Sequence, residues 1–161
     1  MAKALPDDGK LVTLELDPRV AKVRPRKHSL RYPMPYSAPQ VAQENIDRAH
    51  LSSKVDILVG PALETLPTLP PPFDLAFIDA NKEASLEYYV EAKRLVRSGG
   101  VIIVDNAVQD FTVAMPEKSD PKIEGIRRLL KHLKTDNDVD GTTLTTVAAE
   151  RLDGFIFLHR N

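Results

Sequence analysis

Asp79, Lys82, Asp105 and Asn106 carry the most chemistry in this sequence. Asp79 follows the apolar run Phe73-Asp74-Leu75-Ala76-Phe77-Ile78, and Asp105-Asn106 follows Val101-Ile102-Ile103-Val104. Asp79, Asp105 and Asn106 supply the hard oxygen ligands that Mg²⁺ or Ca²⁺ prefers, and a Mg²⁺ site of this kind keeps positions open for water or substrate. Such a metal lowers the pKa of a bound hydroxyl and holds it in place. Lys82 lies close in sequence to Asp79, and a lysine partly desolvated beside a metal can act as a general base. The plainer readings stand beside these: acids at strand ends also cap helices, and a lysine in a first helical turn is ordinarily solvated. Glu15 closes another apolar run, where an acid can accept hydrogen bonds from ribose hydroxyls.

The elements that must position these residues are legible as alternating apolar runs and amphipathic stretches. Leu11 to Leu16, Val55 to Val59, Phe73 to Ile78 and Val101 to Val104 read as strands, the last two as buried parallel strands joined by a crossover helix. In open α/β sheets ligands bind beyond the carboxyl ends of the strands, where Asp79, Lys82, Asp105 and Asn106 would all project. A short helix follows Gly60-Pro61, since Pro fits a first helical turn. Ser85 to Val96 reads as a helix with Leu86, Tyr89, Val90 and Val96 inward, Lys93 breaking the pattern and Gly99-Gly100 near its C-cap. Ile123, Ile126, Leu130 and Leu133 define one face of a further helix. Thr142 to Ala149 and Gly154 to His159 read as an antiparallel pair around a Leu152-Asp153 turn. The expectation is an α/β fold with a Rossmann-like, doubly wound, mostly parallel sheet and a C-terminal antiparallel hairpin.

With 161 residues, 42% of them apolar and 28% charged, the chain has the composition of one ordinary globular domain. A net charge of −1 gives no reason to expect nucleic acid or an anionic membrane as partner. The absence of cysteine excludes disulfides and thiolate metal sites and fits a reducing compartment. No apolar run approaches the ~20 residues that span a bilayer, and the N-terminus has no signal-peptide order. A cytoplasmic protein is the expectation.

Residues 23–40 differ from the rest. They hold Pro25, Pro33, Pro35 and Pro39 with Arg24, Arg26, Lys27 and Arg31, no acid, and no helical or strand period. With this piece cut out, Ala21, Ala42, Ile46 and Ala49 fall on one helical face, so it reads as an insertion splitting a helix. The alternative is a basic, tyrosine-containing binding loop that includes Tyr32 and Tyr36.

Several common sites are missing: there is no Walker A sequence, no G-x-G-x-x-G and no G-x-S-x-G. His28, His50, His132 and His159 lack ligand spacing, and His159 is expected to be packed or capped. A receiver-like switch with Asp79 as phosphoacceptor would need an acidic pair on a first strand, and no such pair is present.

Taken in order, Leu14-Glu15-Leu16-Asp17, Gly60-Pro61-Ala62-Leu63, Phe73 to Lys82, Gly99-Gly100 and Val104-Asp105-Asn106 resemble the cation-dependent O-methyltransferases of the catechol and caffeoyl-CoA type. The closing Asp153-Gly154-Phe155 resembles that family's last strand. The resemblance implies transfer of a methyl group from S-adenosyl-methionine to a small phenolic or catechol-like hydroxyl, with a divalent cation, Mg²⁺ foremost. It assigns Asp79, Asp105 and Asn106 to the metal, and Lys82 to the base. Glu15 falls to the cofactor's ribose and Ala62 to its adenine. Asn81 contacts cofactor or substrate, Asp79 stands near both, and Tyr88 contacts substrate. Ser85 stands where relatives often carry tyrosine. The resemblance further implies a partial domain over 1–161 without the family's first strand and Gly-rich turn, and a homodimer is among the expected assemblies. The alternative is a non-catalytic relative that binds metal or pairs with a full-length homologue.

Overall fold

The computed structural model describes residues 1–16, 38–148 and 151–161. They fall into two compact units, Met1–Thr65 and Leu66–Asn161.

In the first unit a 3₁₀ turn at Ala2–Ala4 precedes strand β1 (Leu11–Glu15), helix α1 (Ala38–Arg48), strand β2 (Val55–Val59) and helix α2 (Ala62–Thr65). β1 and β2 pair in parallel, Leu11 with Val55 through Glu15 with Val59. Lys54 ties the Pro6 turn to the start of β2 by donating from Nζ to the carbonyls of Leu5 (3.2 Å) and Pro6 (2.9 Å). The expected insertion over 23–40 lies outside the described residues for 23–37, as do the basic loop's Arg24 to Tyr36. Residues 38–40 depart from that expectation by opening α1. Pro39 sits in the first turn, where a helix makes no use of the missing N–H. Ala42 and Ile46 are part-buried on α1, whereas Ala49 is exposed beyond its end.

The second unit holds strand β3 (Phe73–Ile78), a 3₁₀ turn at Lys82–Ala84, helix α3 (Ser85–Leu95) and strand β4 (Val96–Val104). Helix α4 (Pro121–Leu133) and strands β5 (Val139–Ala148) and β6 (Arg151–Arg160) complete it. The strand order is β3-β4-β6-β5. β3 and β4 run parallel, Ile78 opposite Val104, while β6 pairs antiparallel with both β4 and β5. The sequence of strand, crossover helix, parallel strand and terminal hairpin is that of the expected α/β class. Its core is built from Tyr89, Val96, Ile102, Val104, Ile126, Leu129 and Leu158, each fully buried. Burial of a side chain of this size contributes about 1.5–3 kcal/mol.

Five expectations change in this unit. Gly99-Gly100 does not cap α3; the helix ends at Leu95, and Val96 already pairs with Phe73. Leu75 pairs next with Val101, so residues 97–100 bulge opposite Asp74. Gly99 takes φ +75°, and a Cβ on Gly100 would lie 2.9 Å from the Asp74 carbonyl oxygen. The pair serves a bulge and a close backbone approach. Second, the buried face of α3 is Ser85, Tyr89, Ala92 and Leu95, with Val90 exposed. Lys93 is no defect there, because it donates to Asp136 Oδ1 and Oδ2 and to Asp138 Oδ2. Third, Leu152 and Asp153 lie within β6, opposite Val147 and Thr146, so they form no turn. Fourth, β3 is not buried on both faces: Leu75 and Phe77 are exposed, and β3 ends its sheet with one strand neighbour among the described residues. Fifth, His159, expected to be packed or capped, is exposed, alternating with buried Leu158 along β6.

Candidate active site

Parallel pairing brings the carboxyl ends of β3 and β4 together. The Asp105 amide donates to the Ile78 carbonyl at 3.0 Å, extending the ladder one residue beyond β4. Asp79 and Asp105 therefore leave adjacent strands at the same level. A cleft of about 460 Å³ opens there, lined by Asp79, Ala80, Asn81, Lys82, Asn106, Gln109, Lys122 and Asp153. Of the residues singled out in the sequence, Asp79, Asn81, Lys82 and Asn106 meet in this cleft.

Lys82 donates from Nζ to Asp79 Oδ1 at 2.9 Å, with its side chain only 12% exposed. The backbone that carries it is fixed from several sides. Asn81 Oδ1 accepts from the Glu83 amide, and the buried Ser85 hydroxyl donates to the Lys82 carbonyl at 2.7 Å. Arg128, on α4, donates to the Glu83 carbonyl. Gly125 lets α4 come this close: a Cβ there would lie 2.7 Å from Glu83 Cα and closer still to the Lys82 carbonyl oxygen.

Asp105 does not line the cleft. Its Oδ1 turns back to accept from the Asn106 amide at 2.8 Å, supporting an Asn106 backbone held at φ +53°. Gln109, Asp110 and Phe111 follow at φ +50°, +54° and +63°. Left-handed backbone at non-glycine residues is costly and persists where surrounding contacts over-determine it. Here those contacts come from β6. Asp153 Oδ1 accepts from the Gln109 and Gly154 amides, and Asp153 Oδ2 accepts from Asn106 Nδ2. Asp110 Oδ1 accepts from the Leu152 amide, while the Asp110 amide donates to the Leu152 carbonyl. Burial pushes the Asp153 carboxyl up, but the amides of Gln109, Gly154 and Val108 and the side chain of Asn106 outweigh it and hold the group below the usual carboxylate range.

Tyr88 is half-buried outside the cleft lining, its hydroxyl pushed up by burial and by Glu87. Glu15 and Ala62 belong to the first unit, where they converge at the carboxyl end of its strand pair. The Gly60 amide donates to the Glu15 carbonyl at 2.8 Å, and Glu15 Oε1 accepts from the Thr13 hydroxyl.

Gln109, Lys122 and Asp153 line the cleft without having been singled out for it. One signal for Asp153 was available. Asp is depleted in strands, and Asp-Gly inside an apolar run marks a close backbone approach as well as a turn. A Cβ on Gly154 would lie 2.6 Å from Val108 Cγ2.

The donor set fits a hard divalent cation. Asp79 and Asp105 each keep a carboxylate oxygen free of hydrogen bonds among the described residues, and Asn106 keeps its Oδ1. No group of three His, Cys, Asp or Glu that could hold a metal occurs among the described residues.

Strand-end carboxylates, an amide and a lysine on an α/β sheet define a candidate group-transfer site. Residues 33–160 match the model of the O-methyltransferase family, and the chain belongs to that family. It is 39% identical over 158 residues to a catechol O-methyltransferase of Niastella koreensis, covering 96% of this chain and 63% of that protein. To a catechol O-methyltransferase of Mycobacterium tuberculosis it is 37% identical over 156 residues, covering 96% of this chain and 62% of the relative. The crystal structure of the O-methyltransferase TomG from Streptomyces achromogenes, involved in tomaymycin synthesis and solved with S-adenosyl-methionine, superposes with a TM-score of 0.83 at 34% identity. That match covers 99% of this chain and 66% of TomG. The chain thus spans less than two thirds of the length of the curated relatives it matches.

Proposed function

We propose that this chain carries the active site of an S-adenosyl-methionine-dependent O-methyltransferase that methylates a small phenolic or catechol-like hydroxyl with a divalent cation, Mg²⁺ first among them. The observation that carries the reading is the meeting of Asp79, Lys82 and Asn106 in one cleft beyond the ends of β3 and β4. The catechol O-methyltransferase names of the relatives support the acceptor class. TomG's complex supports the methyl donor.

Asp79, Asp105 and Asn106 would hold the cation, which when bound lowers the pKa of the acceptor hydroxyl and orients it. Lys82 accepts the phenolic proton at Nζ as a neutral amine. That role requires the ammonium now donating to Asp79 Oδ1 first to release a proton to solvent and turn the freed lone pair to the acceptor oxygen. The oxygen forms a bond to the sulfonium methyl carbon as the carbon–sulfur bond breaks, leaving S-adenosyl-homocysteine. By the family resemblance Glu15 would take the cofactor's ribose hydroxyls, Ala62 its adenine, Asn81 the cofactor or acceptor, and Tyr88 the acceptor. Alignment of the two reactants and fixed charges around them supply most of the acceleration. A cytoplasmic setting belongs to the same reading, in keeping with a chain free of cysteine. Among the described residues no helix is long and apolar enough to cross a membrane.

Calorimetric titration of S-adenosyl-methionine into the folded chain, with and without Mg²⁺, tests the proposal. Micromolar binding is expected, and absence of binding in a folded sample overturns it.

A further inference from the structure

We infer that Asp153 is a positioning residue that sets which end of the Asn106 amide faces the cleft. The inference rests on the proposed metal-dependent reading and assigns a role to a residue outside its donor set.

Asn106 ends in an amide whose two faces are chemically opposite: Oδ1 can bind a cation, and Nδ2 repels one. The backbone at φ +53° fixes where the side chain starts but not which way the amide turns. Asp153 decides that. Its Oδ1 is taken by the amides of Gln109 (3.1 Å) and Gly154 (2.8 Å), and its Oδ2 stands 3.1 Å from the Asn106 amide. A carboxylate surrounded by N–H donors is an acceptor only, so the group it meets must be Nδ2. Oδ1 is thereby left without a hydrogen-bond partner among the described residues, in a cleft that Asp79 also lines. The same carboxylate holds the Gln109 amide, and Gln109 Nε2 donates to the Asn106 carbonyl at 3.1 Å, closing a ring of contacts around the residue.

Asp153→Asn is the discriminating change, because it preserves shape while allowing the amide to turn. Its Oδ1 can keep the Gln109 and Gly154 amides, which leaves its NH₂ facing Asn106. Asn106 must then turn Oδ1 toward residue 153 and present NH₂ to the cleft. The probe is Mn²⁺ alone, followed by electron paramagnetic resonance of the free ion, with thermal unfolding as the control for folding.

The wild type is expected to bind Mn²⁺ and Asp153→Asn to bind it ~10–100-fold more weakly, the usual loss when a ligand's orienting partner changes. Asn106→Ala should lose affinity comparably, and the double variant should be no worse than Asn106→Ala. Additive losses would mean that Asp153 acts through general structure and would overturn the inference. Equal Mn²⁺ affinity in wild type and Asp153→Asn would overturn it while leaving the methyltransferase reading intact. A folded wild type that binds no Mn²⁺ would overturn the metal-dependent reading and this inference with it. Should Asp153→Asn not fold, the wild type supplies the test. One Asn106 side-chain N–H, assigned by its loss in Asn106→Ala, should exchange slowly with solvent. Fast exchange of both protons would refute the hydrogen bond on which the inference stands.

Discussion

Gly125→Ala puts the link between packing and chemistry to a direct test. Alanine is intrinsically the better helix former by about 1 kcal/mol, so an exposed site would gain stability. At Gly125 the added carbon would sit 2.7 Å from Glu83 Cα and 2.8 Å from the Lys82 carbonyl carbon, where ordinary contact begins at 3.4 Å. The nearest contact, closer still, is the Lys82 carbonyl oxygen, so either α4 or the Lys82–Ala84 turn must retreat by about 1.3 Å, and the obstacle is backbone that no rotamer change can move. Overpacking of this kind costs about 1–3 kcal/mol and outweighs the propensity gain. The net expectation is a loss of up to about 2 kcal/mol, which lowers the midpoint of a domain this size by up to about 8 °C. The displaced turn carries Lys82, and a misplacement near 1 Å can cost about 100-fold in rate. Urea unfolding and methyl-transfer kinetics on Gly125→Ala, beside the exposed control Lys131→Ala, read both effects. A variant as stable and as active as the control would refute the contact between α4 and the Lys82 turn.

Three further outcomes follow from the same contacts. Asp136 is nearly buried, and burial alone would raise its carboxyl; hydrogen bonds from Lys93, the Tyr89 hydroxyl and the Asp138 amide outweigh this and lower it from 3.8 to about 2. A depressed carboxylate contributes stability above its unfolded pKa and loses it as pH falls through the folded value. The advantage of wild type over Asp136→Asn should therefore shrink by about 2 kcal/mol between pH 5 and pH 2, and a pH-independent difference in unfolding free energy would contradict this. Lys82→Met should lower kcat for methyl transfer by about 10²–10⁴-fold while leaving S-adenosyl-methionine affinity within a factor of a few; unchanged kcat would remove Lys82 as the base. Asp105→Ala should abolish Mg²⁺-dependent transfer, and activity equal to wild type would remove the metal from the mechanism.

What could be read in the sequence was set by local rules. Strands β1 to β4 announced themselves as apolar runs, and Asp79 and Asp105 were legible because acids directly after such runs fall at strand ends. Lys82 followed from its spacing to Asp79. What escaped depends on contacts between distant segments. Gly99-Gly100 looked like a helix cap because glycine signals a break without saying which element breaks. Its bulge exists because Phe73 claims Val96 as a strand partner. Val90 was expected inward because helical spacing alone does not say where α4 and the sheet will cover α3. Lys93 looked like an interruption until Asp136 and Asp138, far along the chain, turned out to receive it. Asp153 was hidden by a local preference, since Asp-Gly favours turns, whereas here the carboxylate anchors Gln109 and Asn106 across the β4–β6 pair.

The proposed function is transfer of a methyl group from S-adenosyl-methionine to a catechol-type oxygen with help from a divalent cation. The most direct measurement is transfer of isotopically labelled methyl from S-adenosyl-methionine to catechol by the purified chain, with Mg²⁺ and after chelation by EDTA. Label in the O-methyl product with Mg²⁺, lost on chelation and restored by added metal, is the predicted result. Label that persists undiminished in EDTA, or a folded chain that binds both reactants and transfers nothing, would contradict it.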